Sequence, residues 1–108
     1  MSLTQAQIQS VSCDERILSC VDRGLESVGR NVKNVVYWHL KKLGNLQKMD
    51  IPEKPMVFVQ GLRALYRQSS QGVENAILQE INYDFNLNCS AGTDLVAAIF
   101  QAKSKTDS

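Results

Sequence analysis

One histidine, three cysteines and a few adjacent acids are the side chains of this 108-residue chain suited to chemistry at neutral pH. His39 stands alone, which excludes any mechanism that needs two imidazoles. It falls on an apolar helical stripe, where a structural histidine is the expected reading. A nucleophile needs a base within hydrogen-bond reach, and Cys20 with His39 is the one Cys–His pair to consider. Cys13, Cys20 and Cys89 are odd in number and irregular in spacing, unlike a secreted disulfide framework. On one helix, Cys13 and Cys20 would lie about 10 Å apart along the axis, beyond the roughly 7 Å a disulfide tolerates. No CxxC knuckle offers four zinc ligands, so the thiols read as buried apolar groups and no metal site is expected. Gly24 and Gly29 are not followed by a phosphate-cradling GK[ST] or GxxG, so no cofactor is expected. Asp14 and Glu15 suit a helix start better than a metal. The chain reads as a non-enzyme.

The formal charge is only +1, but it is unevenly spread. Residues 30–67 carry eight bases (Arg30, Lys33, Lys41, Lys42, Lys48, Lys54, Arg63, Arg67) and two acids (Asp50, Glu53), whereas residues 68–94 carry four acids and no base. Such asymmetry either marks a partner or is satisfied internally, with the basic middle beside the acidic later helix. Arg30, Asn31, Lys33, Asn34, Lys41 and Lys42 follow a helix–Gly–helix pattern that superficially resembles a helix-turn-helix. Arg and Asn can read base edges and Lys can bind phosphate. Against this, Tyr37, Trp38 and a wide apolar face leave little polar surface for a groove, and the net charge is far below that of a committed binder. Arg30, Lys33, Lys41 and Lys42 are the contacts of this alternative; Tyr37 and Trp38 are the candidate protein-partner surface.

The elements that must position these residues read as helices. Ser12-Cys13-Asp14-Glu15 forms a capping box. Behind it, Ile17, Cys20 or Val21, Leu25 (or Gly24) and Val28 recur at helical spacing, and Gly29 is expected to close the helix in the left-handed conformation. A second helix carries Val32, Val35/Val36, His39/Leu40 and Leu43 to Gly44-Asn45. Its apolar girth suits a central helix or one shared with a partner. Pro55 at a first helical position starts a third helix to about Tyr66, burying Val59, Leu62, Leu65 and Tyr66. Met56-Val57-Phe58-Val59 is β-prone, and a short strand there is the competing expectation. Mid-helix Gly61 costs about 1 kcal/mol relative to Ala, which a close helix crossing would explain. Ser69-Ser70 caps a fourth helix reaching Phe85, with Val73, Ala76/Ile77, Ile81 and Phe85 inward and Glu80 and Asp84 on its outer edge. A fifth follows from Thr93, through Leu95/Val96 and Ile99/Phe100. The expected architecture is therefore an all-α, compact bundle of about five helices. It comprises a flexible lead-in (1–11), one domain (12–103) and a frayed polar tail (104–108).

The order of residues from Leu25-Glu26-Ser27-Val28-Gly29-Arg30 through Tyr37-Trp38-His39-Leu40 resembles a small archaeal family. So do Asp50-Ile51-Pro52-Glu53-Lys54-Pro55, Gly61-Leu62-Arg63-Ala64-Leu65-Tyr66 and Val73-Glu74-Asn75-Ala76-Ile77. The family is one of the Nitrosopumilus output domains, and the resemblance covers roughly residues 17–87. It implies a compact helical unit that passes on a signal by binding something, with no catalytic residues to carry over. One departure is Tyr66-Arg67-Gln68-Ser69-Ser70-Gln71-Gly72, where the family pattern has a Gly-rich turn. The expected function is a non-enzymatic regulatory or protein-interaction domain of signal-output type, with a protein partner or a homodimer. No apolar run approaches the roughly 20 residues of a bilayer span, and the amino terminus lacks the pattern of a signal peptide. A cytoplasmic location is expected.

Overall fold

The computed structural model describes residues 12–90 and 92–107, excepting the side chains of 106 and 107. The segment expected as a lead-in, residues 1–11, lies outside them. The protein is all-α, and its described residues contain no strand. Helix α1 spans Cys13–Val28, α2 Val32–Gly44, α3 Pro55–Tyr66, α4 Ser70–Phe85 and α5 Leu95–Asp107. Single 3₁₀ turns occupy Lys48–Asp50 and Arg67–Ser69.

Local chemistry explains where these helices start and stop. The Ser12 hydroxyl accepts from the Glu15 amide and the Ser12 amide donates to the Glu15 carboxylate, both at 3.0 Å, which is the complete capping box. Gly29 does not take the expected left-handed conformation: at φ −178° and ψ 159° it is extended, and its amide donates to the Leu25 carbonyl. The left-handed role falls instead to Asn45 (φ 50°) after α2 and Asn86 (φ 55°) after α4. Asn tolerates that region because its short polar side chain bonds locally. After Asn45 the chain folds back, and the Leu46 amide donates to the Leu40 carbonyl while the Leu46 side chain enters the core.

The β-prone segment 56–59 is helical, not a strand. Pro55 presets the first turn, and Pro55, Phe58, Val59 and Leu62 then fall on one buried face at helical spacing. Burial of that face outweighs the β preference of Val and Phe, which is a weak and context-dependent prior. At the other end, α5 continues through 104–107, so the residues expected to fray extend the helix. Ser69 precedes α4 as expected, but its side chain makes no capping bond.

Helix α4 packs against α1, α3 and α5. Its antiparallel register with α1 is set by three contacts: Arg16 with Asp84, Arg23 with Glu80, and Gly24 with Ile77. A Cβ at Gly24 would lie 2.7 Å from the Ile77 Cα, so the two backbones touch where only glycine fits. One continuous core runs from Ile17 through Phe58, Leu62, Ile77 and Ile81 to Ile99 and Ala102.

Helix α2 is placed differently from the central helix its girth implies. It packs on α1 and α3 and buries only Val36 and Leu40 of its own length. Val32 is half-buried, while Val35 and Leu43, expected within, are exposed. The anticipated close crossing at Gly61 is present: a Cβ there would lie 2.3 Å from the Leu40 Cδ2.

Candidate functional site

The residues that suggested catalysis stay apart. Cys20 is fully buried between α1 and α4, its thiol donating to the Glu80 carbonyl with the Arg23 guanidinium at its sulfur. Burial, reinforced by the Asp84 charge, pushes this thiol up to about 12, so it is protonated at neutral pH and a poor nucleophile. His39 is on α2, facing a cleft toward α3, and shares none of these neighbours. All three cysteines are free thiols. Among the described residues, no group of three or more His, Cys, Asp or Glu side chains is placed to hold a metal ion.

Tyr37 and Trp38 point to different surroundings. The Tyr37 hydroxyl donates to Asp22 on α1, and Lys48 lies 5.4 Å from the Tyr37 ring while binding the other Asp22 oxygen at 2.8 Å. Burial and then the Asp22 carboxylate drive the Tyr37 hydroxyl to an ionisation far above its ordinary value. At Asp22 burial acts to raise the pKa. The hydrogen bonds from Lys48 and Tyr37 outweigh it and hold the carboxyl below the usual range. These three residues fasten α2 to α1. Trp38, by contrast, is 63% exposed.

Trp38 belongs to a second stripe on α2. Val35, Trp38, His39, Lys42 and Leu43 recur at i, i+3, i+4, i+7 and i+8, the spacing with which a helix packs against another helix. Leu43 is 71% exposed, and with His39 it borders a cleft of about 240 Å³ whose far wall is Val57, Gln60 and Ala64 of α3. That volume is below the roughly 300 Å³ at which small-molecule pockets begin. It suits inserted side chains better than a bound cofactor. Among the described residues, all the exposed large apolar side chains except Tyr83 and Phe100 lie between Val28 and Val57.

The four bases proposed for nucleic-acid contact do not act as one set. Lys33 is committed to Glu26 at 2.7 Å. Lys42 lies 6.0 Å from the Trp38 ring. Arg30 and Lys41 make no ion pair among the described residues. The acidic segment is neutralised mostly from α1, by Arg16 and Arg23 on Asp84 and Glu80, and only Arg63 on Glu74 joins it to the basic middle. The Arg63–Glu74 pair escaped the sequence reading, as did the cleft between Leu43 and Val57. Nothing local distinguishes Glu74, which is 4% exposed, from an ordinary solvent-facing helix acid.

No helix among the described residues is long and apolar enough to cross a membrane. Comparison of the chain with protein-family models, with curated proteins and with solved structures finds no match.

Proposed function

We propose that this chain is a non-enzymatic regulatory or protein-interaction domain of signal-output type, which docks a partner protein or a second copy of itself through the outer face of α2. The supporting observation is the exposed apolar stripe from Val35 to Leu43, with Trp38 at its centre and the α3 cleft at its edge. A helix that must only fold needs one apolar face; α2 carries two, and the internal one is Val36 and Leu40. Exposed apolar patches of this kind mark interaction sites. The kinship with the archaeal output domains is part of this proposal and rests on the residue pattern alone.

Site-specific photo-crosslinking tests it. A photoreactive residue at position 38 is expected to capture a protein, or a second copy of the chain, from its native lysate, and one at Gln79 on α4 is not. Equal capture at both positions, or none at either, overturns the reading.

A second reading, nucleic-acid binding through Arg30, Lys41 and Lys42, is favoured because these bases make no ion pair among the described residues. Phosphate neutralisation makes such binding fall steeply with salt. A duplex or single strand that fails to shift the chain at low salt ends that reading.

A further inference from the structure

We infer that the partner helix recognised by the α2–α3 face is acidic and amphipathic, with apolar anchors entering the Leu43–Val57 cleft and carboxylates meeting Lys41 and Lys42. This inference rests on reading the outer α2 face as a docking surface, and adds the chemistry of what docks. It follows from where the unspent charge lies. Between α1 and α4, Arg16 and Arg23 answer Asp84 and Glu80, and Arg63 of α3 answers Glu74. In residues 30–67, Lys33 and Lys48 are paired, but Arg30, Lys41, Lys42, Lys54 and Arg67 make no ion pair among the described residues. Of the two acids in that stretch, Asp50 is spent capping the Gln47 amide. The local surface is therefore basic although the whole chain is nearly neutral.

Position sharpens the argument. Lys41 and Lys42 stand at i+3 and i+4 from Trp38, so they flank it on the helix surface. Val35 to Leu43 spans about 12 Å of axis, two turns of a docked helix. A groove between two helices with apolar walls is filled by the apolar face of a third, through anchors at i, i+3, i+4 and i+7. The flanking cations then select the sign of that helix. A second copy fits less well, because a two-fold pair would set each basic patch against its own image. Nucleic acid would use the lysines but leave Leu43 and Val57 wet.

The test is a selection from a displayed library of helical peptides against the full chain, counter-selected against Leu43→Gln. Both Leu43 and Trp38 are exposed, so Leu43→Gln and Trp38→Gln are expected to fold, and circular dichroism checks this. The expected winners combine apolar anchors at helical spacing with net negative charge. They should shift the emission of Trp38, the sole tryptophan, to shorter wavelength on binding. Lys41→Glu with Lys42→Glu should weaken them roughly fivefold, as expected for two exposed charge pairs, and 0.5 M salt should weaken them in the same direction. Winners that are neutral or basic but still depend on Leu43 overturn the acidic assignment and leave the docking surface standing. A library that yields nothing surviving counter-selection overturns both. A concentration-dependent Trp38 shift without peptide, lost in Leu43→Gln, overturns the inference in favour of a second copy. DNA competing with the winners at equal charge concentration overturns it in favour of nucleic acid.

Discussion

The α1–α4–α5 half and the α2–α3 hairpin are packed to different ends. In the first, the backbones of α1 and α4 touch at Gly24 and Ile77, and Arg16 and Arg23 close over Glu80 and Asp84. In the second, Gly61 meets only the end of the Leu40 side chain, α2 buries two residues, and large apolar groups stay wet. The first half pairs its facing charges across α1 and α4 and leaves Tyr83 and Phe100 as isolated wet groups, whereas the second gathers Val35, Trp38, Leu43 and Val57 into one exposed region beside Lys41 and Lys42.

Two alanine substitutions break this comparison most directly. Gly24→Ala places a methyl 2.7 Å from backbone that cannot move without separating α1 from α4. Overpacking of this kind costs about 3 kcal/mol. Gly61→Ala also makes a close contact, but with a δ-methyl that can change rotamer, and it gains about 1 kcal/mol of helix propensity. Its net effect should be small. Urea midpoints at unchanged slope measure both; equal losses would mean the two crossings are equally rigid.

The next effect comes from the link between the halves. Glu74 is almost fully buried and accepts from the Arg63 Nε and Nη2, each at 3.2 Å, while Arg63 itself is about half exposed. Arg63→Met leaves that carboxylate without its cation. The expected cost is about 2 kcal/mol, less than for a fully buried pair because Arg63 is partly screened. Adding Glu74→Leu should restore most of the loss, since removing both members spares the desolvation penalty. Failure of the double variant to recover would mean that Glu74 has further partners.

These contrasts also show what the chain made legible. The capping box at Ser12, the burial of Ile17, Val21 and Leu25, and the close crossing at Gly61 follow from local pattern, and the structure has all three. Helix α2 was harder for a physical reason. Val32, Val36 and Leu40 make one helical stripe and Val35, Trp38, His39, Lys42 and Leu43 another, and periodicity alone does not say which turns inward. That choice is made by α1 and α3, through Tyr37 on Asp22 and Leu40 on Gly61. The 56–59 segment was ambiguous for the same reason, since its residues suit a strand until Leu62 and Pro55 join them on one face. Glu74 was illegible because its partner is eleven residues earlier, across a helix–helix contact.

A smaller effect tests how α2 is fastened. Asp22 is held below its ordinary value of 3.8 in the fold, chiefly by Lys48 and Tyr37 against the opposing effect of burial. A depressed carboxylate stabilises fully above the unfolded value, and that contribution is lost as pH falls through the folded value. Wild type should therefore lose more thermal stability between pH 5 and pH 2 than Asp22→Asn, which has no proton to gain there. Parallel losses in the two proteins would show that Asp22 carries none of the acid sensitivity.

The smallest effect on stability should come from the residues with the largest expected role. Trp38 and Leu43 are 63% and 71% exposed, so replacing them with Gln removes little buried area. Changes at such positions lie within about 0.5 kcal/mol, and Leu43→Gln should melt within a degree or two of wild type. On the proposed reading, this surface stays apolar for a partner and not for the fold. If Trp38→Gln or Leu43→Gln instead unfolds the protein, the outer stripe of α2 is holding the bundle together, and the distinction between the two halves fails. Thermal melts of the two variants beside Gly24→Ala decide this, because the reading requires loss at Gly24 and near-silence at Trp38 and Leu43.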